Sequence, residues 1–307
     1  MLIAYSLGEI SLEKSWVAVG SFDGVHRGHQ ALISTIVQGA HEVGHPAVVV
    51  TFHPHPREVL KEQRQAFYLT MPEERVALLS ALGIDAVVIL EFNAVLAATP
   101  AAEFVQALVS HLGMVKLFVG RDFALGNLRE GNLKRLRDLG KALDFQVVEV
   151  DPIDHNGMVI SSSQIRSAIL NGNVAYAAQL LGRPYQISGL VDIGDQRGRQ
   201  LGIPTANVTI PQEKLSPAPG VYACQALVND QKYAAAVNIG VRPTFGQTEG
   251  SIYIEAHLLD YSGDLYGNTV TLRFVERLRD EMKFDSVEAL VAQVKSDIQR
   301  TRAIIVP

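Results

Sequence analysis

The chain of 307 residues has a single cysteine, Cys224, so no disulfide can close within it. Inside the apolar run Gly220 to Val228, that cysteine reads as a small core residue rather than a nucleophile. No stretch approaches the roughly 20 apolar residues of a membrane-spanning helix. An excess of positive charge is also missing: 27 Lys and Arg stand against 32 Asp and Glu, and neither half is basic, which argues against a nucleic-acid partner. Near the N-terminus Glu9 and Glu13 replace the basic segment of a secretory signal, so the cytoplasm is the expected compartment. Internal repeats and low-complexity segments are lacking, and nothing matches the phosphate loop G-x-x-x-x-G-K-[ST]. What remains is 48% hydrophobic and 19% charged, the balance of a globular protein. At roughly 100 to 200 residues per domain, the length suggests two.

Up to about Gly182, short apolar runs alternate with helical periodicity, the pattern of a parallel α/β sheet. Strands are expected at Trp16 to Gly20, Ala47 to Phe52, Ala86 to Glu91, Leu117 to Gly120 and Phe145 to Val150. Helices are expected at Gln30 to Ala40, Pro72 to Leu82 and Ala101 to Leu112. From Tyr185 the texture changes to short strands between Gly, Pro, Asn and Asp, as in an antiparallel barrel or sandwich. These are Gln186 to Val191, Val221 to Val228, Tyr233 to Asn238, Ile252 to Leu259 and Thr269 to Arg277. A closing helix is expected to start at an Asp285 N-cap and to pack Val287, Leu290, Val291, Val294 and Ile298 on the barrel. The division falls between residues 184 and 185.

GSFDGVHRGH, residues 20 to 29, lies where a strand turns into a helix. A helix N-terminus offers unpaired N–H groups and a partial positive charge, so His26 and His29 on its first turn can face a bound anion. Gly28 would let that ligand approach the backbone, and the Asp23 carboxylate could contact the ligand or simply cap the helix. His53 and His55 in TFHPHP could instead complete a zinc site with the first two histidines, although the strand-to-helix context suits phosphate better. ISSSQIR, residues 160 to 166, reads either as a plain helix start or as a second anion cradle with Ser162, Ser163 and Arg166.

Three further segments occupy the downstream half. GDQRGRQLG supplies Gly194, Gly198 and Gly202 with Arg197 and Arg199, a loop of exposed N–H groups and cations. In PTAN, Thr205 and Asn207 alternate on an extended segment and point the same way, as hard oxygen ligands for Mg²⁺ should. SIYIEAHLLD puts Ile252, Ile254, Ala256 and Leu258 on one face and Tyr253, Glu255 and His257 on the other. Glu255 is then either a solvated carboxylate or the base of a site opposite it.

Taken together, GSFDGVHRGH, TFHPHP, GRDFALG, ISSSQIR, PTAN, NIGVRPTF, the Glu255 strand and RLRDEMKF resemble the bacterial bifunctional riboflavin kinase and FAD synthetase family over essentially the whole chain. The resemblance implies an N-terminal nucleotidyltransferase domain with a parallel sheet and a C-terminal riboflavin kinase barrel with a terminal helix. It also implies ATP as co-substrate, riboflavin, FMN and FAD as the flavins, and Mg²⁺. By the same resemblance, Gly20, Phe22, Asp23, His26, Gly28, His29, Ser162, Ser163 and Arg166 serve ATP, with His53 and Asp122 close to the flavin and nucleotide. Glu255 is the implied base, Thr205 and Asn207 bind Mg²⁺ and phosphates, and Asn238, Arg279 and Glu281 fall in segments bordering the flavin. The pattern departs at Ala124 and Leu125, where a polar residue and phenylalanine are usual, at Ser163 for threonine, and at Ile203 and Tyr261 for phenylalanines. A kinase with a weakened adenylyltransferase, or a flavin-sensing protein without turnover, fits the same motifs.

Overall fold

The computed structural model describes residues 1–61, 66–155, 157–192, 203–241 and 252–305. Two compact units divide it: residues 1–65 with 70–162, and residues 66–69 with 163–307.

The first unit contains β1 (Leu2–Ala4), β2 (Ser15–Val19), α1 (Arg27–Glu42), β3 (Ala47–His53), α2 (Pro56–Lys61) and α3 (Pro72–Ala81). It continues through β4 (Ala86–Glu91), α4 (Ala94–Ala98), α5 (Ala101–Leu112), β5 (Met114–Gly120), β6 (Ala124–Leu125), β7 (Gly131–Asn132) and α6 (Leu133–Leu143). It closes with β8 (Gln146–Val150), β9 (Asp154–His155) and β10 (Met158–Val159). Six strands form one parallel sheet in the order β1-β4-β3-β2-β5-β8. Every residue of β2 is buried because helices cover both faces. Trp16 and Ala18 pack with Ile33, Ile36 and Leu79 of α1 and α3, while Val17 and Val19 pack with Phe104, Leu108 and Leu136 of α5 and α6.

From β2 the chain steps outward through β3 and β4, then returns to β5 on the other side of β2. Such a reversal opens a crevice at the carboxyl ends of the two central strands, where ligands of open α/β sheets bind. The segment following β2 is GSFDGVHRGH.

The second unit holds α7 (Ser162–Leu170, from its second residue), α8 (Val174–Leu181), β11 (Tyr185–Asp192), β12 (Ala206–Thr209), β13 (Gly220–Val228) and β14 (Gln231–Val241). After these come β15 (Ile252–Leu258), β16 (Thr269–Arg279) and α9 (Val287–Ile304). The six strands close into a barrel in the order β11-β12-β15-β14-β13-β16, every pair antiparallel. Closure removes sheet edges, which is how a small all-β core avoids unpaired strand backbone. Cys224 is fully buried and burial pushes its thiol well up, as a core role requires.

Both expected architectures are present, with local corrections. Ser286, not Asp285, caps α9, its Oγ accepting from Ala289 N at 3.1 Å. Only Asp297 and Thr301 of that helix are buried, whereas Val287 at the head of the expected stripe is 54% exposed. Elements beyond those expected are β1, α2, α4, β6, β7, α6, β9, β10, α8 and β12.

Candidate active sites

In the first unit the turn after β2 is held by buried polar groups. Asp23, only 1% exposed, accepts from Thr70 through the backbone N (2.9 Å) and the hydroxyl (3.1 Å). The same hydroxyl accepts from Gly24 N at 2.9 Å. Gly24 has φ +84°, a conformation that suits glycine. Asp23 is therefore a fastener of the turn, and the cap of α1 is His26 instead. Its Nδ1 accepts from His29 N at 3.3 Å, which leaves Nε2 as the nitrogen that carries the ring proton.

The two imidazoles stack at 3.6 Å between centroids, and Phe22 meets His29 edge-on at 5.0 Å. A side-chain carbon on Gly28 would come within 3.2 Å of the His26 ring, so that glycine first makes room for histidine. Phe22 itself is 3% exposed in the core, and its ring fills the space beside Gly20. Burial, His26 and Arg75 together hold the His29 pKa well below 6.5, leaving a neutral ring. Its buried Nδ1 has no hydrogen-bond partner among the described residues. Ser162, the last residue of the first unit, donates from Oγ to the Asp23 carbonyl at 2.9 Å.

Arg75 and Thr70 were not anticipated. Arg75 is 1% exposed, with its guanidinium donating to Thr51 Oγ1 (3.0 Å), Phe52 O (3.2 Å) and Thr70 O (3.3 Å). An arginine four residues before the buried Leu79 on the same face of α3 was the one sequence signal available. His53 ends β3 at the same edge of the sheet. Asp122, just beyond β5, is exposed, and its carbonyl accepts from Arg129 at 2.9 Å. Leu125 is 9% exposed within the core cluster. Ser163 and Arg166 belong to the second unit, where Arg166 donates to Phe67 O at 2.9 Å and covers the Phe67 ring at 3.6 Å.

The second unit carries its own site on the barrel. Strand pairing sets Asn207 opposite Glu255, Glu255 opposite Asn238, Asn238 opposite Val221, and Val221 opposite Arg279. Residues directly opposite in adjacent strands share a face, so one row crosses five strands with Glu255 between two amides. All five line a cavity of about 430 Å³ together with Thr205, Tyr253, Glu281 and the α9 residues Leu290, Val291 and Val294. His257, on the Glu255 face, bonds Pro204 O at 2.7 Å and so fixes the start of the Thr205 segment.

Tyr253 donates to Glu281 at 3.1 Å and receives from Asn238 Nδ2 at 3.3 Å. Burial first, then Glu281, raises its phenol pKa. Gly240 is needed here, because a side-chain carbon on it would collide with both Tyr253 and Glu281. A second cavity of about 650 Å³, lined by Pro204, Thr205, Leu258, Tyr261, Asp264 and Tyr266, shares Thr205 with the first. The roles of Tyr253, His257 and the α9 wall were not legible beforehand, because each depends on which elements meet. Gly194, Gly198 and Arg199 lie outside the described residues. Among the described residues no cluster of three or more His, Cys, Asp or Glu could hold a metal ion.

The family model for FAD synthetase matches residues 9–164, and that for riboflavin kinase matches residues 181–305. Among curated proteins, the bifunctional riboflavin kinase/FMN adenylyltransferase of Pseudomonas fluorescens is 39% identical, over 94% of this chain and 92% of its own. The Bacillus subtilis protein of the same name is 38% identical, over 93% and 91%. A crystal structure described as a macrolide-efflux protein from Streptococcus pneumoniae superposes with a TM-score of 0.90 at 33% identity, covering 98% of each chain. In the present chain, among the described residues, no helix is long and apolar enough to cross a membrane.

Proposed function

The chain belongs to the bifunctional riboflavin kinase/FMN adenylyltransferase family, and from that premise we propose which residues carry each reaction. It phosphorylates riboflavin with ATP to FMN, then transfers AMP from ATP to FMN, giving FAD and pyrophosphate. Residues 185–307 are assigned to the first step and residues 1–184 to the second.

For the kinase step, Glu255 takes the proton of the ribityl 5′-hydroxyl as that oxygen attacks the γ-phosphorus of ATP and ADP leaves. The observation that carries this is the row Asn207, Glu255, Asn238: one carboxylate in register between two amides, lining a cavity that Leu290, Val291 and Val294 of α9 also line. A cavity lined by both apolar and polar side chains suits a flat flavin ring with a ribityl chain. The neighbouring cavity is assigned to ATP, because Thr205 borders both and the γ-phosphate must lie between the two substrates. Thr205 and Asn207 offer neutral oxygens two residues apart and fit Mg²⁺. When bound, that ion would neutralise charge on the transferring phosphoryl group. Asn238, Arg279 and Glu281 border the flavin. Gly194, Gly198 and Arg199 keep the phosphate role that their motif suggests.

For adenylyl transfer, a phosphate oxygen of FMN attacks the ATP α-phosphorus and pyrophosphate leaves. Positioning and hydrogen-bond donors supply this chemistry without a protein nucleophile. His26 offers Nε2–H from the N-cap, and His29 donates as a neutral ring to the phosphates. Asp23 is given a supporting part through Thr70 and Gly24. Gly20, Phe22 and Gly28 shape the turn; Ser162, Ser163 and Arg166 serve phosphate, and His53 and Asp122 the flavin side. The protein is placed in the cytoplasm, with small molecules as its partners and neither nucleic acid nor membrane.

The test is to incubate the chain with riboflavin, ATP and MgCl₂ and resolve flavins by chromatography. FMN should appear and then FAD, and a chelator should stop both. FMN without FAD would refute the adenylyltransferase assignment, and absence of both products would refute the whole.

A further inference from the structure

Arg279 stands at the end of the row that carries Glu255, yet its guanidinium is turned away toward α9. Nε lies 3.2 and 3.0 Å from the two Asp297 oxygens, and NH2 lies 2.8 Å from Oδ2. The third nitrogen, NH1, donates to Asp280 O at 2.9 Å. Asp297 is 2% exposed and also accepts from Gln293 at 3.0 Å. A fork-to-carboxylate pair of this kind fixes angle as well as distance.

Asp297 lies three residues after Val294 and seven after Leu290, on the face of α9 that walls the cavity. One ion pair therefore fixes two things at once: where Arg279 sits on the barrel row, and how far the apolar wall of α9 stands from Glu255. With its edge engaged, Arg279 turns toward Phe284, whose ring centroid is 5.9 Å from the guanidinium carbon. Both residues line the cavity.

We infer that Asp297 is a positioning residue of the kinase reaction. Through Arg279 it sets the width of the slot that takes the planar, largely apolar ring system of riboflavin. It touches no substrate itself. This rests on assigning the cavity to riboflavin, so the experiment reads flavin binding separately from turnover.

The test is Asp297→Asn in the full chain, which keeps the shape and removes the charge that orients the fork, with folding followed by thermal denaturation. Riboflavin KM and the dissociation constant from flavin fluorescence quenching are expected to rise about tenfold or more, with kcat held within about threefold and the KM for ATP unchanged. FMN supplied directly should still become FAD at the parent rate. Arg279→Lys, which keeps the charge and loses the fork, should reproduce the defect. The double variant should be no worse than either single, as for partners in one interaction. A folded Asp297→Asn chain with parent KM and parent quenching would overturn the inference, as would a loss confined to kcat. If Asp297→Asn does not fold, Asp297→Glu, which keeps the charge and displaces the carboxylate from the Arg279 fork, decides by the same readings. Should Val291→Trp, which fills the cavity from α9, leave flavin quenching and riboflavin KM at parent values, the cavity assignment has failed rather than the positioning role.

Discussion

Replacing Glu255 by Gln changes one atom and removes one charge, and the expected loss can be worked from the site. Glu255 is in register with Asn207 on one side and Asn238 on the other, so a glutamine amide there retains its neighbours and its volume. What is lost is a proton acceptor for the 5′-hydroxyl, worth about 10² to 10⁴ in rate, or about 2.7 to 5.5 kcal/mol of transition-state stabilisation. Binding should survive, because the apolar wall of Leu290, Val291 and Val294 is untouched. In assays with riboflavin and ATP, FMN formation should therefore fall by about two to four orders of magnitude in kcat, with riboflavin quenching of parent strength. FMN supplied directly should still yield FAD. The structure offers an internal control: Glu255 is among the charges that raise the Tyr253 phenol pKa, so spectrophotometric titration should find that phenol ionising at lower pH in the variant. A loss of less than about tenfold in kcat, with flavin still bound, would refute Glu255 as the base.

Thr70→Ala should remove one donor to buried Asp23 and the acceptor of Gly24 N, costing about 1 to 3 kcal/mol by thermal or denaturant unfolding, with slower conversion of FMN to FAD. Parent stability would contradict the fastener role. His29 is neutral in the folded site with its pKa held below 6.5, so between those values the unfolded chain binds the extra proton. Its contribution to stability is complete above about pH 6.5 and is lost as pH falls toward the folded value. Denaturation midpoints measured across that range should drop on acidification, and His29→Gln should flatten the drop; an unchanged profile would show that another group is responsible. Gly240→Ala should force Tyr253 and Glu281 off the barrel surface, costing about 1 to 3 kcal/mol and raising riboflavin KM while FAD formation from FMN persists.

The parallel strands were readable because they are buried on both faces. Trp16 to Val19, Ala47 to Val50 and Ala86 to Leu90 are continuous apolar runs with no competing helical reading. Elements that were missed carry weaker local signals. Strand β1 is three mostly exposed residues at a sheet edge, and β12 is four residues defined by pairing partners far along the chain. Helix α6 interrupts its apolar stripe with Gly140, a position where a side-chain carbon would press on the Phe145 carbonyl. In the terminal helix the apolar residues were visible, but the buried anchor proved to be Asp297, a carboxylate whose desolvation is offset by Arg279 and Gln293.

Chemical identity lay in the order of residues: histidines at a helix start, hydroxyls at another, and a carboxylate alternating on a strand are properties of spacing, and spacing survives in one dimension. Which of these groups touch each other is set by packing between segments remote in sequence. Asp23 meets Thr70 46 positions downstream of Gly24, and Arg279 meets Asp297 across a strand and a helix. The sequence alone determined that the chain joins a parallel α/β half to a barrel half and carries flavin kinase and adenylyltransferase motifs. Tertiary structure decided that Asp23 fastens a turn, that His29 is held neutral, and that Glu255 stands between two amides in a cavity also lined by Leu290, Val291 and Val294 of α9. Charge state and alignment depend on burial and on neighbours brought by the fold, and no local pattern encodes them.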